Sequence, residues 1–468
     1  MSSNQEGFCS NRTFACSRRQ MLKSVSSGFG MLAFAGIAQA MSSRYSLQDN
    51  PLAPRDPHFT PRAKRVIFLC MSGGPSHLDM YDYKPKLITD TGKSLDNGRR
   101  RGAKLMGSPF KFSPRGESGI HYSELVQNIG SHADKIALLK GMHTDVPAHA
   151  QATIQMHTGS FQFVRPSMGA WALYGLGTEN QNLPGFVTIS PQRGNGGSQN
   201  YGSSFLPAVN QGTAIGGRAS SGAMSNISSK RLTRAGQRKQ LDLIQKLNSE
   251  ALRKGGDSDG INGMIQSFEL AFRMQDELPE VLDISSVDPR MRNLYGLDDE
   301  PTAEFGRQCL MARQLAESGV RFIQVSSGGW DHHRNLRESM VSSCTKIDRP
   351  IAGLLTDLEQ RGMLEDTLVL CGGEFGRTPD AQNNDGRDHN AKGFSMWMAG
   401  GGVKGGIEHG ATDEYGAEAV DGRVHIHDWH ATILHLMGLD HERLTYNHSG
   451  RDFRLTDVHG ELVTDIIA

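Results

Sequence analysis

The feature that most constrains this chain is an alternation of two hydrophobic periods. Phe305–Glu317 carries a helical pattern and Val320–Ser326 reads as a short strand; Ile351–Leu358 lies in a second helix and Thr367–Cys371 in a second strand. Helices alternating with short apolar strands imply a parallel sheet with helices packed on both faces. Further upstream, Val66-Ile67-Phe68-Leu69-Cys70-Met71 is an unbroken apolar run, the pattern of a central strand covered on both sides. It stops at the turn signal Ser72-Gly73-Gly74-Pro75, and Ile136–Leu139 reads as another strand. The fold class is therefore α/β, with a central, mostly parallel sheet. In such sheets ligands bind beyond the carboxyl ends of the strands. That rule directs attention to the loops after Met71, Ser326 and Cys371.

The chain has 468 residues, enough for one large α/β domain with insertions or for two domains. Its 50 basic and 50 acidic side chains cancel, so no net field draws it to nucleic acid or to an anionic membrane. Residues 1–40 read as a twin-arginine export signal. Arg18 and Arg19 precede a Gly/Ala-rich apolar stretch that ends in Ala38-Gln39-Ala40, a cleavage signal. That stretch is too short and too rich in Gly and Ser for a spanning helix, and no other run is long and apolar enough to cross a bilayer. The expectation is an exported protein, periplasmic or extracellular, without stable membrane insertion.

Residues 41–62 are polar and Pro-rich and read as a linker, and 63–468 as the α/β domain. An insertion is expected at about 190–290. Its first part, 190–225, is dominated by Gly, Ser, Asn and Gln and is expected to loop outside the sheet. Its second part, within 229–275, carries two amphipathic helical patterns: Leu241, Ile244 and Leu247, then Ile261, Met264, Ile265, Phe268 and Phe272. Of the six Cys, Cys70 and Cys371 sit in apolar runs and read as small buried hydrophobes. The Cys spacing assigns no disulfide.

The three strand-end loops share a composition. They read Gly73-Gly74-Pro75-Ser76-His77-Leu78-Asp79, Gly328-Gly329-Trp330-Asp331-His332-His333 and Gly372-Gly373-Glu374-Phe375-Gly376-Arg377. Paired glycines let the backbone turn sharply ahead of a carboxylate or imidazole. His389 lies in Gly386-Arg387-Asp388-His389-Asn390, and His427 and His430 lie in His425-Ile426-His427-Asp428-Trp429-His430. Asp, Glu and His suit a divalent cation, Zn, Mn, Mg or Ca according to the number of oxygens. One such loop is more often a surface or capping feature; three at successive strand ends imply convergence. Asp331, His333 and Glu374 are expected to meet and bind a cation. The rival is a metal-free hydrogen-bonded network with Arg377 or Arg387 as counter-charge.

Several motifs in this order carry a resemblance: M-S-G-G-P-S-H-L-D-M-Y-D-Y-K-P, R-P-S-M-G-A-W, G-G-W-D-H-H, G-G-E-F-G-R-T-P and the C-terminal H-A-T-I-L-H-L-M-G-L-D-H-E-R-L-T-Y through G-R-D-F-R-L-T-D. From about residue 64 onward the chain resembles the bacterial family catalogued as domain of unknown function 1501. That family looks like a sulfatase-like branch of the alkaline-phosphatase superfamily. The resemblance implies an alkaline-phosphatase-like sheet and a divalent metal centre. Asp331 and His333 look like the Asp and His of a first metal, and Glu374 like a later acidic ligand, with Phe375 where a His often follows. His427 or His430 is implied as the last imidazole. Met71 stands near the usual first-strand Asp, and His77 or Asp79 is the implied substitute.

In that superfamily the nucleophile is a Ser, Thr or modified Cys shortly before Thr-Gly. Counting back from Gly159 puts His149 there, as a metal ligand, as a nucleophile, or as a mark of lost catalysis. The C-x-P-x-R motif of formylglycine sulfatases is absent. Arg377 is the candidate for binding an anionic group, or else a loop-holding salt bridge. Two functions follow. One is an exported metal-dependent hydrolase of phosphate or sulfate esters, acting on an anionic ester or a sulfated or phosphorylated glycan. The other is a non-catalytic metal- or glycan-binding protein on the same fold.

Overall fold

The computed structural model describes residues 52–94, 102–216, 231–255, 258–383 and 385–468. The export signal and residues 41–51 of the linker fall outside the described residues, while Leu52, from its second half, enters an apolar cluster of the domain. Among those described, nine strands form one sheet. From edge to edge they are Ile407–His409, Ile136–His143, Phe394–Ala399, Thr367–Gly372, Arg65–Ser72, Phe322–Gly328, Phe186–Ile189 and Thr213–Ile215, with Val424–His425 added beside Ile136–His143. Every pairing is parallel except those of Phe394–Ala399, which runs against both neighbours. This is the mostly parallel sheet expected from the alternation.

The central strand shows why both faces are covered. Ile67, Leu69 and Met71 enter one apolar cluster, and Val66, Phe68 and Cys70 enter the other. Successive side chains of a strand point to opposite faces, so an unbroken apolar run needs two cores. The first core is closed by helices Glu300–Glu317 and Leu336–Gln360, through Cys309, Leu310, Ile347 and Ile351. The second is closed by helices His149–Thr158, Met168–Leu176 and Ile426–Leu436, through Met156, Trp171 and Ile433. Burying a side chain such as Phe68 completely contributes about 2 to 3 kcal/mol, so shaving the central strand would weaken both layers. Cys70, Cys309, Cys344 and Cys371 are buried free thiols.

One expectation needs correction. The Gly-rich stretch does not lie wholly outside the sheet: Thr213–Ile215 forms its edge strand, parallel to Phe186–Ile189. Thr213 and Ile215 face inward while Ala214 is exposed, an alternation only three residues long and masked by the polar residues around it. Residues 217–230 fall outside the described residues. Helices Arg234–Arg253 and Ser258–Val281 follow, joined by a small apolar cluster of Leu241, Phe268 and Phe272.

The register brings the loops of interest level. Ser72 lies opposite Gly328, and Cys70 opposite Gly372. The loops to Asp331 and Glu374 therefore leave the sheet on either side of Gly73. After Glu374 the chain forms an antiparallel hairpin, Gly376–Gln382 with Gly386–Asn390, which pairs Arg377 with His389.

Candidate metal centre

The centre is built around Asp331, which follows Gly328-Gly329-Trp330 at the end of its strand. The turn is tight: a Cβ on Gly73 (φ 120°) would come within 2.8 Å of the Trp330 amide nitrogen, and one on Gly74 (φ 69°) within 2.6 Å of the Phe375 ring. Those two positions require glycine, because both the backbone angle and the space exclude a side chain.

Three imidazoles close on Asp331. His149 is the first residue of its helix, His333 follows two residues after Asp331, and His389 comes from the hairpin. The Asp331 Oδ1 atom lies 3.2 Å from His149 Nε2, 2.8 Å from His333 Nε2 and 3.2 Å from His389 Nε2. One ligand atom from each of the four residues lies within 4.8 Å of every other. Each ring is held from behind. His149 Nδ1 meets Glu374 Oε1 at 2.7 Å, His389 Nδ1 meets the Pro147 carbonyl at 2.8 Å, and His333 Nδ1 meets Gln382 Oε1. A carbonyl or carboxylate oxygen accepts, so each Nδ1 carries the proton and each Nε2 presents its lone pair when the ring is neutral.

That arrangement needs a positive centre. Three lone pairs and a carboxylate oxygen pointed at one another repel unless protons or a cation lie between them. His149 Nε2 is buried and makes no hydrogen bond with the protein, although its 3.2 Å approach to Asp331 couples the two charges. Burial would lower the His149 imidazole, but contacts with Asp331 and Glu374 raise it to about 9. Burial would raise the Asp331 carboxyl, yet His149, His389 and Arg377 hold it far below the usual carboxylate range. A tetrahedral ion with bonds of about 2.1 Å sets its ligands about 3.4 Å apart, near the 3.2 Å from Asp331 Oδ1 to His149 and to His389, and three imidazoles with one carboxylate are a donor set suited to zinc. Acceptors behind metal-binding imidazoles are the usual means of fixing their tautomer and direction. The residues fit a divalent cation.

Glu374 stands behind this set. Both of its oxygens accept from the Gly73 amide, at 3.0 and 3.1 Å, and Oε1 also holds His149. Arg377 is fully buried. It donates to Asp331 Oδ1 at 2.7 Å, to the Gly74 carbonyl at 2.7 Å, to the Trp330 and Arg387 carbonyls at 3.2 Å each, and to the Gly73 carbonyl. It ties three loops to Asp331. Gln382 and the Pro147 carbonyl were not legible as site groups; nothing in a lone Gln or a backbone carbonyl signals them.

The remaining expected ligands are held elsewhere. His77 Nε2 bonds to the Gly416 carbonyl at 3.0 Å, and burial lowers its imidazole. Asp79 forms a fully buried pair with Arg387, 2.8 Å, and accepts from Ser76. His430 Nε2 bonds to the Met156 carbonyl at 2.8 Å, and its ring is pushed down to about 3, mainly by burial. His427 lies between the rings of His425 and His459, with centroids 4.9 and 5.0 Å away, and burial pushes it down to about 4.

Fold and site thus define a parallel-sheet α/β protein with a three-histidine, one-aspartate candidate centre at the carboxyl ends of its strands. Residues 63–467 match the family model described as "Protein of unknown function (DUF1501)", and the chain belongs to that family. Among solved structures it is similar to the PsFucS1 sulfatase from Pseudoalteromonas sp. (13% identity, 81% of this chain and 68% of that one, TM-score 0.36). It is also similar to an alkaline-phosphatase-superfamily protein from Vibrio parahaemolyticus (10% identity, 88% and 77%, TM-score 0.35). A third is the lipoteichoic acid synthase LtaP from Listeria monocytogenes (8% identity, 92% and 80%, TM-score 0.37). No curated protein matches the chain.

Proposed function

We propose that this protein is an exported, metal-dependent hydrolase of sulfate or phosphate esters, acting on an anionic ester or a sulfated or phosphorylated glycan. The observation that carries the reading is the shared wiring of three imidazoles: each has Nδ1 held by an oxygen acceptor and Nε2 turned onto Asp331. His149, His333, His389 and Asp331 would hold the ion. The chemistry that such an ion supplies is polarisation of an ester oxygen and acidification of water, from a pKa of about 15.7 toward about 7.

The other residues prepare that site. Glu374, Gln382 and the Pro147 carbonyl orient the rings, so little reorganisation is needed during reaction. Phe375 packs its ring 4.8 Å from His149 and 4.6 Å from His389, which excludes water from one side. In this reading His149 is a ligand rather than a covalent nucleophile: Glu374 Oε1 holds its Nδ1, and its Nε2 faces Asp331 Oδ1 at 3.2 Å. Arg377 is inaccessible to substrate, so the exposed Arg334, next to His333, is the arginine proposed to meet the substrate anion.

Purified protein assayed for metal and then against a panel of sulfate and phosphate esters tests the reading. Metal-dependent release of sulfate or phosphate, lost with chelator and restored by the ion, is expected. Bound metal with no turnover across the panel would favour the non-catalytic binding protein instead. Export by the twin-arginine route, with cleavage after Ala40, is part of the same proposal. Changing both Arg18 and Arg19 to Lys should strand precursor in the cytoplasm, and normal export of that variant would refute it.

A further inference from the structure

A segment that neither the sheet nor the metal centre uses leaves the helix His149–Thr158 at the end opposite His149. Gly159 closes that helix in a left-handed turn (φ 71°), and Gln162, Phe163 and Val164 then stand exposed. The segment is pinned in place. Thr158 Oγ1 donates to the Ser160 carbonyl at 3.1 Å, the Phe163 amide to Ser160 Oγ at 3.3 Å, and Ser204 Oγ to the Val164 carbonyl at 3.3 Å. Phe163 is 58% exposed, the one exposed phenylalanine among the described residues.

Arg165 ends the segment with its guanidinium over three rings: Phe453 at 4.4 Å, Phe163 at 5.1 Å and Phe205 at 5.9 Å from the centroids. A second guanidinium, Arg451, lies over the Phe453 ring at 4.6 Å. Rings occupy the face of a guanidinium and leave its in-plane N–H donors for an acceptor. The nearby carboxylates are committed, Asp457 to Arg451 and Glu442 to Arg454. Among the described residues Arg165 makes no hydrogen bond or ion pair. Burial lowers its guanidinium, Asp457 pulls it back up and Arg451 lowers it again, a cost that a bound anion would offset. An exposed ring beside a charged fork suits a ligand that is anionic at one point and apolar at the next. A sulfated sugar is such a ligand: its sulfate oxygens match the fork, and its C–H face packs on a ring. An anionic membrane matches less well, because surfaces of that kind carry about four to eight Lys or Arg.

We infer that Phe163, Arg165 and Phe453 form a subsite for a sulfated glycan, with Arg165 on the sulfate and Phe163 under the sugar; this rests on the glycan of the reading above and not on its metal. Isothermal titration of the full protein, with and without Zn²⁺, tests it. The probes are sulfated hexasaccharides from carrageenan, fucoidan and heparin, each with its desulfated form, and phosphatidylglycerol vesicles. At least one sulfated hexasaccharide should bind in both metal states, and its desulfated form about tenfold more weakly, the scale of one charge-assisted contact. Arg165→Gln should weaken binding about tenfold, and Arg165→Lys less, since the charge stays while the fork is lost. Phe163→Ala, a change at an exposed ring that leaves the melting temperature unchanged, should weaken it about threefold. Affinity within twofold of wild type in both Arg165→Gln and Phe163→Ala would overturn the subsite. So would equal binding of the desulfated forms, no binding of any hexasaccharide up to about 1 mM, or binding of the vesicles in place of the glycans. The expected losses in a protein that hydrolyses no ester would overturn the hydrolase reading alone and leave the subsite standing.

Discussion

Two histidine-rich regions of this molecule differ in what stands behind each ring. Around Asp331, three imidazoles have their Nδ1 atoms held by Glu374, Gln382 and the Pro147 carbonyl, and their Nε2 atoms gathered on one carboxylate oxygen. Around the start of the Ile426–Leu436 helix the rings serve the fold. His425 caps the helix by accepting from the His427 amide and pairs with Asp145 at 3.3 Å. His427 stacks between His425 and His459, and His430 bonds to the Met156 carbonyl. A count of histidines cannot separate the two regions. What each ring's Nε2 faces does.

The largest break in that contrast should come from Asp331→Ala. Removing the shared carboxylate is expected to weaken metal binding by more than about 100-fold, since losing a mere supporting contact typically costs about 10- to 100-fold. Isothermal titration of the apo protein would measure it. Next is Glu374→Ala, which frees the His149 ring and leaves the Gly73 amide without its acceptor. Metal affinity should fall about 10- to 100-fold and stability by about 1 to 3 kcal/mol. An affinity within twofold of wild type would show that the support behind His149 is irrelevant.

His430→Gln should do the reverse: a loss of about 1 to 3 kcal/mol in urea unfolding, from disturbing a buried hydrogen bond, with metal affinity unchanged. Loss of metal with stability intact would join the two regions into one centre. The same region should make the apo protein acid-sensitive. His427 and His430 are held to about 4 and about 3 by burial, below the ordinary 6.5 of the unfolded chain. The unfolded state therefore takes up protons first, and stability that is full above pH 6.5 should fall as the pH drops from 6.5 toward 4. Urea midpoints at pH 8 and pH 5 would check this, with a shallower pH slope in His427→Gln. The smallest effect is expected at the rim. Arg334→Glu should raise KM for an anionic ester about fivefold, the scale of one exposed charge contact, with little change in metal content.

The sheet was legible because its signals are local. An apolar run such as Val66–Met71 needs two cores, and the helix-to-strand rhythm from Phe305 to Cys371 has few other solutions. The strand Thr213–Ile215 was not, since three residues on a sheet edge need only two inward side chains. The site divides in the same way. Asp331, His333, His389 and His149 stand out by residue type and by their place near strand ends. What sequence could not assign was which of the ten candidates converge. That depends on the hairpin register that sets His389 opposite Arg377, and on which rings find a backbone carbonyl first. His77 and His430 did so at Gly416 and Met156. Glu374 looks like a ligand in sequence, and in the fold its oxygens meet the Gly73 amide and His149 Nδ1.

The most direct measurement is anomalous diffraction from crystals grown with Zn²⁺, recorded on both sides of the zinc absorption edge. An anomalous peak enclosed by His149 Nε2, His333 Nε2, His389 Nε2 and an Asp331 oxygen is expected, with none among His425, His427 and His459. No peak at Asp331, or a peak in the His425–His427 cluster instead, would contradict it.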